Sequence, residues 1–147
     1  MFTLGCGDGT TIRDDLRRQG RALTTLTFTA MGNLNPPPPV NATVTDPAAI
    51  RALYDATLSL PDFPLSGPHT CPVDWYVRYR LDFAGDGVAA VATANPNGCQ
   101  VVAFTSMSPP ANLALWPSGS ADDYWGLMAA TIGVPEAAII PYTPPAR

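Results

Sequence analysis

Lysine is missing from this chain of 147 residues, in which all eight basic residues are arginine. Its absence excludes Schiff-base catalysis, a serine–lysine pair and the phosphate-binding lysine of a Walker loop. Histidine occurs once, so a multi-histidine metal centre is excluded, and no cysteine–histidine spacing fits a zinc site. We therefore predict a protein that has no metal or cofactor and is not an enzyme.

Long apolar runs and basic clusters are missing as well. No apolar run approaches the roughly 18 residues that a membrane-spanning helix needs. The largest basic cluster is Arg17-Arg18 and the net charge is −4, so the electrostatic surface of a nucleic-acid binder is absent. Length and a hydrophobic content of 46% predict one globular domain.

Cysteine occurs three times, and two of the three flank predicted strands. A bond between Cys71 and Cys99 would close a loop of about 28 residues and stabilise the fold by about 3.5 kcal/mol. Such a bond indicates an oxidising compartment, so we expect a secreted or extracytoplasmic protein. Cys6 follows Leu-Gly as in the end of a bacterial lipobox; it is either a lipid anchor, the one expected membrane contact, or a free thiol. A lipid anchor at Cys6 would require a signal region that starts upstream of Met1.

The first half of the chain alternates between helix and strand signals. We expect a threonine-capped helix over 10–20 and a threonine-lined strand over 23–31. The four prolines at 36–39 predict an extended connector, because proline fits neither a helix interior nor a central strand. A short strand over 40–45 follows, and Asp46 then caps an amphipathic helix.

The sequence VDWYVRYRLDF, over residues 73–83, alternates strictly between two faces. The inward face carries Trp75, Val77, Tyr79, Leu81 and Phe83. The outward face carries Tyr76, Arg78, Arg80 and Asp82. The Asp-Gly pair at 86–87 predicts a hairpin turn, and further strands are expected over 88–94 and 99–107.

The segment 108–119 is predicted to be a loop, and 120–133 a second amphipathic helix. The fold class is therefore α+β: an antiparallel meander of four to five strands, with two amphipathic helices packed on one face and one disulfide. A segment over 1–21 with a short helix precedes the domain at 22–134, and a proline-rich tail follows over 135–147.

Arg78 and Arg80 form the most plausible ligand site, since they project from one strand face about 7 Å apart. Together they can grip a carboxylate or sulfate, with Tyr76 and Asp82 framing the ligand. The alternative is a solvated outer sheet face with cross-strand arginine–aspartate pairs.

The single histidine, His69, would need Ser66, Thr70 or a cysteine as nucleophile and Asp62 or Asp74 to orient it. No nucleophile elbow of the G-x-S-x-G type is present. A lone loop histidine is usually exposed and inert, which favours a non-catalytic residue.

The strand, the helix in TVTDPAAIRALYDATLSLP, the pattern CP.D....YRL.F and a cysteine after the hairpin together resemble small exported or lipid-anchored proteins of high-GC bacteria. The resemblance covers Val44 to Gly133 and implies a compartment but no reaction.

Cys-Pro, an aromatic strand, a D-G-V turn and a later cysteine are similar to the Streptomyces subtilisin inhibitor family over Cys71 to Cys99. The resemblance implies that Val73 occupies the specificity position of a reactive loop and that Asp74 follows the scissile bond. The second, upstream disulfide of that family has no counterpart here. We therefore predict a non-catalytic extracytoplasmic domain that binds an unknown protein or a small anionic ligand; the alternative is a serine-proteinase inhibitor.

Overall fold

The computed structural model describes residues 9–32, 40–64, 71, 76–107 and 109–139. Within these ranges lies one antiparallel sheet of six strands in the order β2-β1-β3-β4-β5-β6. The strands are β1 Leu23–Met31, β2 Asn41–Val44, β3 Arg78–Gly85, β4 Val88–Ala94, β5 Val102–Met107 and β6 Pro110–Leu115. The α-helices are α1 Gly9–Gln19, α2 Pro47–Leu58 and α3 Tyr124–Ile132. The predicted α+β class is confirmed, with six strands in place of four to five.

Strand β6 lies in the segment that the sequence predicts to be a loop. Its first residue, Pro110, lies on an edge strand, where a missing N–H is tolerated. Exposed and partly buried positions alternate along β6 up to the buried Leu115. The alternation indicates a strand, but the prolines at 109 and 110 favour a loop, so the sequence prediction was wrong here.

Helix α2 follows the sequence prediction closely. The Asp46 carboxylate accepts a hydrogen bond from the backbone N–H of Ala48 at 3.1 Å, and proline occupies the first turn. Its buried residues are Ile50, Leu53, Tyr54, Thr57 and Leu58. The Tyr54 ring meets the rings of Phe83 and Phe104 edge-on, with centroids 5.1 and 5.8 Å away, so α2 packs directly on the inner face of the sheet.

Helix α3 is capped at both ends by residues that the sequence favours. The Asp123 carboxylate accepts from the N–H of Gly126 at 3.0 Å, and Gly133 ends the helix with φ 82. The hydroxyls of Thr57 and Tyr124 share a buried hydrogen bond of 2.9 Å, which joins α2 to α3. Burial raises the pKa of Tyr124 to about 12, so this phenol is neutral and able to hydrogen-bond at physiological pH.

Helix α1 packs against α2. The sequence predicts this helix in a segment ahead of the domain, and the described residues show it as part of the helical layer. Leu16 is fully buried in the same core cluster as the α2 residues. The Arg13 guanidinium donates to the carbonyl oxygens of Leu58 and Leu60 at 2.5 and 2.6 Å. Leu58 is the last residue of α2, and Leu60 lies two residues beyond it. The arginine thereby satisfies groups that a helix end leaves without intrahelical partners.

The predicted disulfide joins Cys71 to Cys99, with their Cα atoms 4.9 Å apart. It links the chain ahead of β3 to the loop between β4 and β5. A disulfide indicates an oxidising, extracytoplasmic environment.

Candidate interaction surface

The sheet face turned away from the helices, here called the outer face, is solvated and low in charge. Arg80 at its centre lies opposite Thr29 on β1 and Thr93 on β4. Asp82 lies opposite Thr27 and Val91 in the same way. Hydroxyl and methyl groups therefore surround the charged residues of β3, as expected for an antiparallel sheet covered on one side.

Arg80 and Asp82 pair with each other along β3. The Nε and Nη2 atoms of Arg80 each approach one carboxylate oxygen of Asp82 at 3.0 Å, a forked contact. The hydrogen bond and then the charge of Asp82 raise the pKa of the Arg80 guanidinium above its usual value. Arg78 donates to the carbonyl of Val77 at 2.8 Å. An anion at Arg80 must therefore compete with a carboxylate that is already in place.

One end of the sheet, here called the disulfide end, gathers several exposed groups. Met31 at the end of β1 lies opposite Arg78 at the start of β3, and Tyr76 comes two residues earlier. The Cys71–Cys99 bond reaches this end because β4 finishes and β5 starts there. Tyr76 is 68% exposed, and Met31 is 36% exposed.

The backbone at the disulfide end is held in unusual conformations. Among the described residues, the non-glycine residues with positive φ are Tyr76, at 61°, and Gln100, at 58°. Such conformations cost about 1–3 kcal/mol each and persist only where the surroundings impose them. They concentrate at functional sites, which makes an exposed aromatic residue in this state a candidate contact residue.

The loop that carries Cys99 is braced on several sides. The Gln100 side chain accepts from the Ser118 hydroxyl at 2.6 Å and donates to the Pro96 carbonyl at 3.2 Å. The Asn95 side chain accepts from the N–H of Asn97 at 2.9 Å. The disulfide therefore attaches the exposed Cys71 to a rigid support.

The remaining predicted site residues fall in two groups. Cys6, Ser66, His69, Thr70, Val73, Asp74 and Trp75 lie outside the described residues. Asp62, a suggested partner for the histidine, accepts a hydrogen bond from Arg13 at 2.5 Å. Cys71 and Tyr76, both exposed, flank the suggested reactive residues Val73 and Asp74 in the chain.

A pair of carboxyl groups near the start of α3 was not anticipated from sequence. The side chains of Asp123 and Glu136 lie close enough for a protonated Glu136 to donate a hydrogen bond to Asp123. They converge over Gly126, where an added Cβ would lie 2.8 Å from the Asp123 Cγ and 2.9 Å from the Glu136 Oε1. Partial desolvation and then the charge of Asp123 raise the pKa of Glu136 above its ordinary value of 4.5.

We expect Glu136→Gln to raise the melting temperature at pH 7 and to change nothing below about pH 4. The folded state holds the Glu136 proton more tightly than the unfolded state, so stability falls as pH rises past 4.5 through the raised pKa. The glutamine amide can donate a hydrogen bond to the Asp123 carboxylate, and the substitution removes the second charge. Asp86→Asn, which removes one charge from an exposed turn, is the control for net charge, and thermal melts from pH 3 to 8 measure both. An equal gain in the two variants would contradict the prediction.

A groove of about 630 Å³ lies at the end of the sheet opposite the disulfide. It runs between the last turn of α1, the 3₁₀ turn Gly20–Ala22 and the turn between β3 and β4. Arg21 and Asp86 are among its lining residues. Its position would not be visible from sequence, because the walls are more than 60 residues apart in the chain.

Protein-family models, curated proteins and solved structures were compared with this chain, and none matches it. In the described part of the chain, no helix is long and apolar enough to cross a membrane. Nor do three or more metal-ligating side chains come together anywhere within those residues.

Proposed function

We propose that this chain is a non-catalytic extracytoplasmic binding domain that contacts a partner protein through the disulfide end. The observation that carries the proposal is Tyr76, an exposed tyrosine with positive φ next to a disulfide-braced loop. An aromatic side chain gives a large contact area with few rotatable bonds to order on binding. Met31 lies opposite Arg78 at the start of β3, two residues along the chain from Tyr76, and methionine and arginine are enriched with tyrosine at interfaces.

A protein partner is favoured over a small anion because of the charges on β3. Asp82 occupies two donors of Arg80, which reduces the attraction of that guanidinium for a free carboxylate or sulfate. Among the described residues, Tyr76 and Met31 are the exposed large apolar side chains at the disulfide end. We place the domain outside the cytoplasm of a high-GC bacterium, secreted or held at the membrane by a lipid on Cys6.

The test compares three versions of the domain as bait in a culture supernatant of the producing cells. Tyr76→Asn removes the ring and keeps the backbone, because asparagine tolerates positive φ. Met107→Asn is the matched control, since Met107 is 81% exposed at the other end of the sheet. We expect a protein that wild type and Met107→Asn retain and that Tyr76→Asn retains at least tenfold less. Equal retention by all three baits, or none, would count against the disulfide end.

A serine-proteinase inhibitor remains the second candidate. Cys71, exposed and bonded to the braced loop, lies on one side of Val73, and Tyr76 lies on the other. A segment anchored at both ends on exposed residues is the arrangement that an inhibitory loop requires. Titration into subtilisin separates the two functions: stoichiometric inhibition with cleavage after Val73 supports an inhibitor, and unchanged protease activity supports the binding domain.

A further inference from the structure

The groove at the end of α1 is a second candidate site, far from the disulfide end. Its volume of about 630 Å³ lies within the range of about 300–1,000 Å³ that small-molecule sites occupy. Ala22, Val88 and Pro109 contribute apolar surface to it. Four charged side chains also line it, those of Asp15, Arg18, Arg21 and Asp86. The groove is open to solvent, so part of a bound ligand would remain exposed.

The walls of the groove are fixed by backbone contacts. The N–H of Asp86 donates to the carbonyl of Ala22 at 3.3 Å, which ties the turn between β3 and β4 to the 3₁₀ turn. Gly85 lies so close to that turn that an added Cβ would be 2.6 Å from the carbonyl carbon of Ala22. Gly87 completes the two-residue turn with φ 71. The site is therefore formed before any ligand arrives.

The charges along the groove divide into a paired and an unpaired set. Arg18 forms an ion pair with Asp15 one turn away on α1, so these two charges compensate each other. Arg21 and Asp86 both line the groove, and neither forms an ion pair with another described residue. One positive and one negative group thus remain available to a ligand.

We propose that the groove binds a short peptide with free termini, its carboxylate on Arg21 and its ammonium group on Asp86. A simple anion at Arg21 is repelled by Asp86, and a simple cation at Asp86 is repelled by Arg21. A zwitterion satisfies both groups at once. The volume exceeds that of a single small amino acid, which favours a peptide of a few residues. Because both protein charges are exposed, binding is weak and sensitive to salt.

Three peptides of equal length test this assignment by amide chemical-shift titration of the full chain at low salt. Trialanine carries both terminal charges, N-acetyl-trialanine carries only the carboxylate, and trialanine amide carries only the ammonium group. We expect trialanine to shift the amides of 18–22 and 85–88 at millimolar concentration, and each blocked peptide to bind about threefold to fivefold more weakly.

Two variants assign the ends of the peptide. Arg21→Gln removes the advantage of trialanine over trialanine amide, and Asp86→Asn removes its advantage over N-acetyl-trialanine. Arg51→Gln, on an exposed position of α2, is the control for charge and leaves all three affinities unchanged. Dispersed amide spectra establish that each variant is folded.

Equal affinity for the three peptides overturns the proposal, as does a shift pattern centred away from the groove. The absence of any saturable shift up to about 20 mM trialanine also overturns it, given the millimolar affinity expected of exposed charge pairs. None of these outcomes bears on the disulfide end, since the two sites lie at opposite ends of the sheet.

Discussion

Gly85→Ala is expected to lower the free energy of unfolding by about 3 kcal/mol or more. A Cβ at this position would lie 2.6 Å from the carbonyl carbon of Ala22 and 2.7 Å from the Cα of Leu23. Both neighbours are backbone atoms, so no side-chain rotation relieves the overlap. The end of β3 and the start of β1 would have to separate, which also opens one wall of the groove.

Equilibrium denaturation in urea measures the loss, with Gly87→Ala as the matched control. A Cβ on Gly87 meets no atom within 4 Å, but its φ of 71 disfavours alanine. We expect the control to lose about 1 kcal/mol from conformational strain alone. If Gly85→Ala lost no more than Gly87→Ala, the close approach of β3 to the 3₁₀ turn would be wrong.

Arg13→Met is expected to lower the free energy of unfolding by about 2–4 kcal/mol. Methionine keeps the aliphatic stem and the helix propensity of the residue, but it removes both hydrogen bonds to the carbonyls of Leu58 and Leu60. The Arg13 side chain is only 13% exposed, so the Leu60 carbonyl loses a donor that water does not fully replace. Among the described residues, the Leu58 carbonyl keeps only the longer contact of 3.3 Å from Arg17 Nη2. The ion pair to Asp62 adds little, because that carboxylate is 78% exposed.

Arg18→Met is the matched control for Arg13→Met. Arg18 lies on the same helix, is 63% exposed and pairs only with Asp15 among the described residues. We expect it to lose less than about 1 kcal/mol. Equal stability of the two variants would show that the arginine contacts do not hold α1 on α2.

Local signals were sufficient to predict much of the fold. Asp46 and Gly133 mark helix ends by chemistry that acts within a few residues, and alternation predicts which side of β3 holds Leu81. The docking of α1 was not predictable, because Arg13 and its acceptor Leu58 are 45 residues apart. The helical pattern of α1 identifies its apolar stripe. It does not identify the end of α2 as the place where Arg13 donates its hydrogen bonds.

The candidate site was likewise predictable in part from the sequence. The pattern of β3 places Arg80 and Asp82 on one face, and the structure shows that they lie there. The sequence pattern alone does not show that two residues of the same strand will pair with each other rather than with a ligand. The positive φ of Tyr76 also escapes prediction, because tyrosine carries no preference for that conformation and tertiary contacts impose it.

The position of β1 in the sheet has a consequence for the order of folding. Strands β3 to β6 are joined by short connections and pair with their neighbours in sequence, so their loops close at low entropic cost. Pairing β1 with β3, as Leu26 does with Phe83, instead closes a long stretch of chain that includes β2 and α2. The disulfide spans residues 71 to 99 and so does not shorten that loop. Formation of the disulfide therefore favours early assembly of the C-terminal strands. Insertion of β1 between β2 and β3 is then the rate-limiting step in forming the whole sheet.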